Sequence, residues 1–156
     1  MHVQPLYQVR AMRVTDAQAL QHVCWPTGTL DGVREMLQRT QRLTDARRAN
    51  ALVALIDDLP VAFGQVMLWP RTAEISDLVV AEKWRSHGIG SAIIGALIDI
   101  ARQWPIPQVE IGAALSNPRA LALYRKLGFR DQRTLNLDLG HGPEPVVYLV
   151  MDIRFD

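Results

Sequence analysis

The sequence predicts a mixed α/β (α+β) fold: a central mixed sheet flanked by helices, with a parallel pair of strands near its middle, in one domain spanning residues 1–156. Three observations carry this expectation. First, "AEISDLVVA" (Ala73 to Ala81) reads as a strand, Gly88 to about Trp104 as a helix, and "QVEIGAA" (Gln108 to Ala114) as a strand. A strand, a crossover helix and a second strand make a parallel pair. Second, the apolar runs and helical spacings follow the order β-α-α-β-β-β-α-β-α-β-β. Third, 156 residues without a repeat, a linker or a low-complexity run suit one core.

Each element has its own signal. "YQVRAMRV" (Tyr7 to Val14) alternates and reads as the first strand. Thr15 or Asp16 caps a short helix, "DAQALQHV", and Pro26 and Gly28 mark a loop over Cys24 to Thr29. Thr29 or Asp31 starts the next helix, with Val33, Met36, Leu37 and Leu43 near helical spacing. "NALVALIDD" and "PVAFGQVMLWP" form a hairpin about Asp57-Asp58-Leu59-Pro60. In the Gly88 helix, Ile89, Ile93, Leu97, Ile100 and Trp104 share one side while Ile94 and Ile98 lie elsewhere, so much of its circumference is expected to be buried. In "NPRALALYRKLGF" Pro118 suits a first helical turn and Gly128 a C-terminal cap. "RTLNLDL" and "PVVYLVMDI" are the last two strands, around the loop "GHGPEP".

Composition bounds the function. Seventeen Lys and Arg against 16 Asp and Glu leave a net charge of +1, which gives no electrostatic case for nucleic acid or an anionic membrane. Cys24 is the only cysteine, so no internal disulfide forms, which suits a reducing compartment. The N-terminus lacks the apolar core of a signal peptide. The most apolar stretch, Ile89 to Ala101, is too short to span a bilayer and contains Asp99. A cytoplasmic protein is expected, with no metal, no nucleic-acid partner and no membrane contact.

The chemistry concentrates in "WRSHGIGSA" (Trp84 to Ala92). It sits where a strand hands over to a helix, and backbone N–H groups at a helix N-terminus have no intrahelical partner. Glycines let a phosphate approach without meeting a Cβ, and Arg85 supplies a forked cation. The full dinucleotide fingerprint is missing, because Ile93 stands where a third glycine belongs, and there is no G-K-S/T of a P-loop.

Arg85, Gly88 and Gly90 match the R/Q-x-x-G-x-G/A signature of the GNAT superfamily of N-acetyltransferases, which this stretch resembles. Leu78 and Val80 in the preceding strand resemble that family's L-x-V segment. Some thirty residues on, Asn117, Ala120, Leu123, Tyr124, Lys126, Gly128 and Phe129 resemble its N-x-x-A-x-x-L-Y-x-K-x-G-F helix. The resemblance is specific from about Ala73 to Arg130 and covers the rest by element order. It implies that two parallel central strands splay apart and hold acetyl-CoA as cosubstrate. Leu78, Val79 and Val80 would pair with the pantetheine arm, and Arg85, Ser86, His87, Gly88, Ile89, Gly90 and Ser91 would hold the pyrophosphate. Asn117 would reach the pantetheine region, and Tyr124 would protonate the departing thiolate.

An acceptor amine must also lose a proton, since an alkyl ammonium is about one part in a thousand neutral at pH 7. Glu74 is the first candidate base, at the strand position where the histone-acetylating branch of the family carries its glutamate. Asp77 is the second and Glu110 the third. Simple alternation puts Glu74 and Ser76 on one face and Asp77 on the other, unless a bulge resets the phase. The loop residues Trp25, Pro26 and Thr27, with His141 and Glu144 of the last hairpin, are expected to build the acceptor pocket. The activity implied is acetyl transfer to a primary amine, on a small molecule or a protein, by direct attack in a ternary complex. The alternative is a non-catalytic acyl-CoA-binding or interaction module of the same fold. An exposed last strand, "PVVYLVMDI", would offer an edge for a homodimer.

Overall fold

The computed structural model describes residues 6–154. Four helices and seven strands follow one another as β1 (Gln8–Ala11), α1 (Ala17–Cys24), α2 (Leu30–Asp45), β2 (Ala49–Ile56), β3 (Leu59–Leu68), β4 (Ala73–Val80), α3 (Ile89–Ala101), β5 (Gln108–Ala114), α4 (Pro118–Lys126), β6 (Arg130–Asp138) and β7 (Pro143–Asp152). One mixed sheet takes the order β1-β2-β3-β4-β5-β7-β6. The expected element order and the parallel β4–β5 pair are both present.

Local chemistry explains the boundaries. β1 stops at Ala11, short of the expected Val14, because the chain turns at a buried carboxylate. Asp16 accepts from the Arg13 N–H at 2.8 Å and from both Arg10 guanidinium nitrogens at 2.9 and 2.8 Å. Thr29 caps α2 by accepting from the Gly32 N–H. α3 ends at Ala101 and not near Trp104, as a residue before proline avoids the helical region.

Consecutive residues of β3 show how the layers are arranged. Gly64 lies against Ile93 and Leu97 of α3, while Gln65 bonds Thr40 of α2. Strand neighbours point to opposite faces, so α2 covers one face of the sheet and α3 the other. β3 is buried on both faces from Pro60 to Val66, which places the core at the centre of the sheet. Gly64 is a close-approach glycine: a Cβ there would stand 2.8 Å from Ile93 Cγ2.

Two departures position the site. β4 and β5 pair over Ala73–Val109, Glu74–Glu110 and Ile75–Ile111 only, and then separate. At the same place β4 bulges against β3: Phe63 pairs with Val79 and Gln65 with Ser76, so Asp77 and Leu78 together face Gly64. Asp77 takes a left-handed φ of 54° to do so. One expectation is corrected. β7 lies between β5 and β6, and the sheet edges are β1 and β6. The last strand is therefore paired on both sides and offers no free edge.

Candidate active site

A cleft of about 450 Å³ opens where β4 parts from β5. Leu78, Val79 and Val80 form one wall, the turn after β4 forms the floor, and α4 closes the far side with Asn117, Ala120, Leu123 and Tyr124. Arg85, Ser86, Gly88, Ile89, Gly90 and Ser91 all line it. His87 does not, because its ring leans on Trp84 with centroids 6.0 Å apart. A larger cavity of about 790 Å³ lies beside the β2–β3 hairpin and shares only Trp84 with this cleft. It has neither the glycine turn nor Tyr124, so size does not locate the chemistry here.

The turn has the backbone geometry of an N–H nest. Ser86 and Gly88 both have left-handed φ, 67° and 81°, which curls successive N–H groups inward. The first turn of α3 then presents Ile89, Gly90 and Ser91 with N–H groups that have no intrahelical acceptor. The Arg85 Nε donates to the Val80 carbonyl at 3.1 Å, which ties the turn to the end of β4. Arg119 of α4 donates to Ser86 Oγ at 3.1 Å and adds a second guanidinium at the cleft. The two glycines differ. Gly88 needs its backbone conformation, whereas a Cβ on Gly90 would meet only Val80 Cγ2, at an ordinary 3.6 Å. Protein packing therefore does not require glycine at 90.

Tyr124 is buried at 6 % exposure, with its ring tilted on Phe129 at 6.4 Å. Burial pushes its hydroxyl pKa up, so it stays protonated through the neutral range. That hydroxyl makes no hydrogen bond among the described residues, and Tyr124 lines the cleft. Asn117 caps α4 by accepting from the Ala120 N–H at 3.2 Å, which leaves its amide nitrogen for the cleft.

The opposite face of the same strand carries the other carboxylates. The bulge brings Asp77 onto the face of Gln65 and Ser76, reversing simple alternation. Asp77 lines a groove of about 310 Å³ with Trp25, Thr27, Thr29 and Met36. Protein packed about the carboxylate pushes its pKa up, opposed by the Gln65 donor and the Arg39 charge, although the residue keeps an exposed side. Glu74 lies three residues earlier, in the paired part of β4, and accepts from Trp69 Nε1 at 3.0 Å. Glu110 beside it is clamped by Arg133 at 3.0 and 3.4 Å. The Arg133 guanidinium also lies 4.6 Å above the Tyr148 ring. Glu144 accepts from Ser116, and His141 and Pro26 are exposed; none of these three lines the Asp77 groove. Cys24 is buried, and burial pushes its thiol up to about 11, against small opposing effects from Ala81 and Arg85.

Known proteins agree with this architecture. Residues 14–129 match the Acetyltransferase (GNAT) family. The chain belongs to that family. Among curated relatives, an uncharacterized N-acetyltransferase of Bacillus subtilis, YvbK, is 32% identical over 76 residues, which is 49% of this chain and 49% of that protein. The chain thus spans about half the length of that relative. Among solved structures, the ribosomal-protein-S18-alanine N-acetyltransferase of Escherichia coli is 18% identical with a TM-score of 0.79, covering 97% of this chain and 96% of that one. A Salmonella typhimurium protein, yncA, described as a putative acetyltransferase with its cofactor acetyl-CoA, is 17% identical with a TM-score of 0.74, covering 96% of this chain and 95% of that one. At these identities the likeness shows the fold. Among the described residues no helix is long and apolar enough to cross a membrane.

Sequence reasoning missed Trp84, Arg119, Ala120 and Leu123 as cleft walls. A signal existed for Arg119, which directly follows the N-terminal proline of α4. Trp84 opens the stretch that was singled out, directly before Arg85, but its side chain was given no role.

Proposed function

We propose that the protein transfers the acetyl group of acetyl-CoA to a primary amine by direct attack in a ternary complex. One observation carries this reading: Asp77 and Leu78, neighbours in the β4 bulge, line different clefts. The strand is thus a thin partition with a donor cleft on one side and a carboxylate-bearing groove on the other.

Acetyl-CoA supplies an activated thioester when bound. The donor-side residues fit its chemistry. The N–H groups of residues 88–91, with Arg85 and Arg119, would hold the pyrophosphate. Past Ile75 the splayed β4 has no β5 partner, so its backbone near Leu78 to Val80 is free to bond the pantetheine arm and the thioester carbonyl. On the acceptor side Asp77 is better placed than Glu74, which is tied to Trp69 in the paired part of the strand. The ammonium of the acceptor gives its proton to Asp77. The amine nitrogen then bonds the acyl carbon and sheds its second proton to solvent as the C–S bond breaks, and the thiolate takes its proton from the Tyr124 hydroxyl. Solvent restores both side chains. Cys24 takes no part, because a thiol titrating near 11 is almost wholly protonated at neutral pH.

The groove suits a single cationic amine end better than a polyanion, since Asp77 is its ionisable lining residue among those described. The test is thiol release from acetyl-CoA across a panel of primary amines and peptide N-termini. Amine-dependent release with one acetylated amine per thiol supports the proposal. Binding of acetyl-CoA without release for any amine would make the chain an acyl-CoA-binding module instead.

A further inference from the structure

Gln65 is 2 % exposed and Thr40 is fully buried, so two polar side chains lie inside the sheet–helix interface. Such groups destabilise a fold unless they are bonded, and fold stability alone would be as well served by an apolar pair. Both are bonded, in a fixed direction. Thr40 Oγ1 donates to Gln65 Oε1 at 2.6 Å. The amide nitrogen is thereby turned toward β4, where it donates to Asp77 Oδ2 at 2.5 Å and reaches Ser76 Oγ at 3.3 Å. An ionised carboxylate only accepts, and a hydroxyl can donate, so the chain Thr40–Gln65–Asp77 has one consistent polarity. Asp77 Oδ1 carries no hydrogen bond among the described residues.

We propose that Gln65, held in register by Thr40, is a positioning residue that ties down Asp77 Oδ2 and leaves Oδ1 as the oxygen that takes the acceptor's proton. The inference rests on Asp77 being the base. It explains three features together. The left-handed φ of 54° at Asp77 is a strained conformation that a buried tether can hold. The bulge puts the carboxylate within reach of β3. A buried glutamine occupies a central strand whose neighbours are apolar. When Asp77 takes a proton on Oδ1, Oδ2 still accepts from Gln65, so the side chain keeps its place through the transfer. The charged group acting on Asp77 from α2 is Arg39, and Gln65 on β3, Ser76 on β4 and Trp25, Thr27 and Thr29 of the loop bring no ionisable group.

The test follows the Asp77 carboxyl by NMR in protein labelled at the aspartate carboxyl carbons, with the signal assigned by its loss in Asp77→Asn. Gln65→Met keeps the shape and removes the donor. It is expected to raise the proton affinity of Asp77 about tenfold or more, as loss of a hydrogen bond to a charged group implies. Thr40→Val frees the amide to turn and is expected to shift the titration in the same direction by less, with Thr40→Ser restoring it. A purely structural role would lower the melting temperature and leave the titration in place. That result in Gln65→Met, or in Thr40→Val if the first variant does not fold, overturns the proposal. The underlying reading fails separately: full amine-dependent thiol release in Asp77→Asn would remove Asp77 as base, whatever Gln65 does.

Discussion

Replacing Gly90 by alanine separates the two reasons a glycine can stand at a strand-to-helix turn. Gly90 is the second residue of α3 and lines the donor cleft. The added methyl meets Val80 Cγ2 at 3.6 Å and nothing nearer, so the folded chain accepts it. Removing a helical glycine stabilises by about 0.4–1 kcal/mol. For a chain of this size that is a rise of about 1–4 °C in melting temperature. The same methyl stands on the cleft floor, where the first-turn N–H groups must come within hydrogen-bond distance of a phosphate. Losing one such charge-assisted bond is worth about 1.5–3 kcal/mol, or about tenfold to a hundredfold in affinity. Calorimetric titration with CoA and a thermal melt on the same sample read both effects, and opposite signs are expected. Gly88→Ala is the control. Its φ of 81° makes alanine strained by about 1–2 kcal/mol with no contact within 4 Å, so the melting temperature falls. CoA affinity within twofold of wild type in Gly90→Ala would refute the placement of the pyrophosphate.

Five other substitutions have definite expectations. Tyr124→Phe keeps the ring against Phe129 and removes the proton donor, so kcat falls about 100-fold or more while the KM for acetyl-CoA hardly moves; a change confined to KM contradicts the role. Asp77 binds its proton more tightly folded than unfolded, so its ionised form opposes folding above a window that starts at 3.8 and ends at the raised folded value. Asp77→Asn should therefore raise the melting temperature at pH 7, with the pH-dependent part of the gain vanishing as pH falls through that window, while turnover is lost; Glu74→Gln should keep turnover and its pH profile. Cys24→Ala should leave turnover within about twofold, and acetyl trapped on Cys24 by mass spectrometry would end the direct mechanism. Gly64→Ala forces a Cβ to 2.8 Å from Ile93 Cγ2 and 3.1 Å from Leu78 Cδ1, which should destabilise by about 1–3 kcal/mol in urea melts; an unchanged midpoint would mean that α3 sits farther from the sheet.

The fold was legible where the signal is local. The strand, glycine turn and helix from Ala73 to Ala101 announce themselves through apolar spacing and two glycines, and α4 through Pro118 and Gly128. Strand neighbours were legible only where a tight turn or a crossover helix links them, as for β2–β3 and β4–β5, because other pairings are settled by contacts far apart in the chain. β7 reads as a terminal apolar run and yet lies between β5 and β6. The site divides in the same way. The lining of the cleft beside β4 comes from two short segments, 78–91 and 117–124, and most of it was named from sequence; His87 does not line the cleft, and Trp84, Arg119, Ala120 and Leu123 were missed. The acceptor half depends on one extra residue in β4, and a shift of one residue moves every later side chain to the other face. Alternation therefore set Asp77 apart from Glu74, where the bulge brings it onto the same side. Gln65 left no trace, since β3 is buried on both faces and has no alternation to violate.

Occupancy of the β4–β5 wedge by acetyl-CoA underlies every step of the mechanism. Amide hydrogen exchange on the intact protein, with and without acetyl-CoA, reports that occupancy directly. Slowed exchange at Leu78 to Val80 and Arg85 to Ser91 is expected, together with the Asn117 end of α4. Protection that spares these segments and appears instead around Ile56 to Val61, beside the larger cavity, would contradict it.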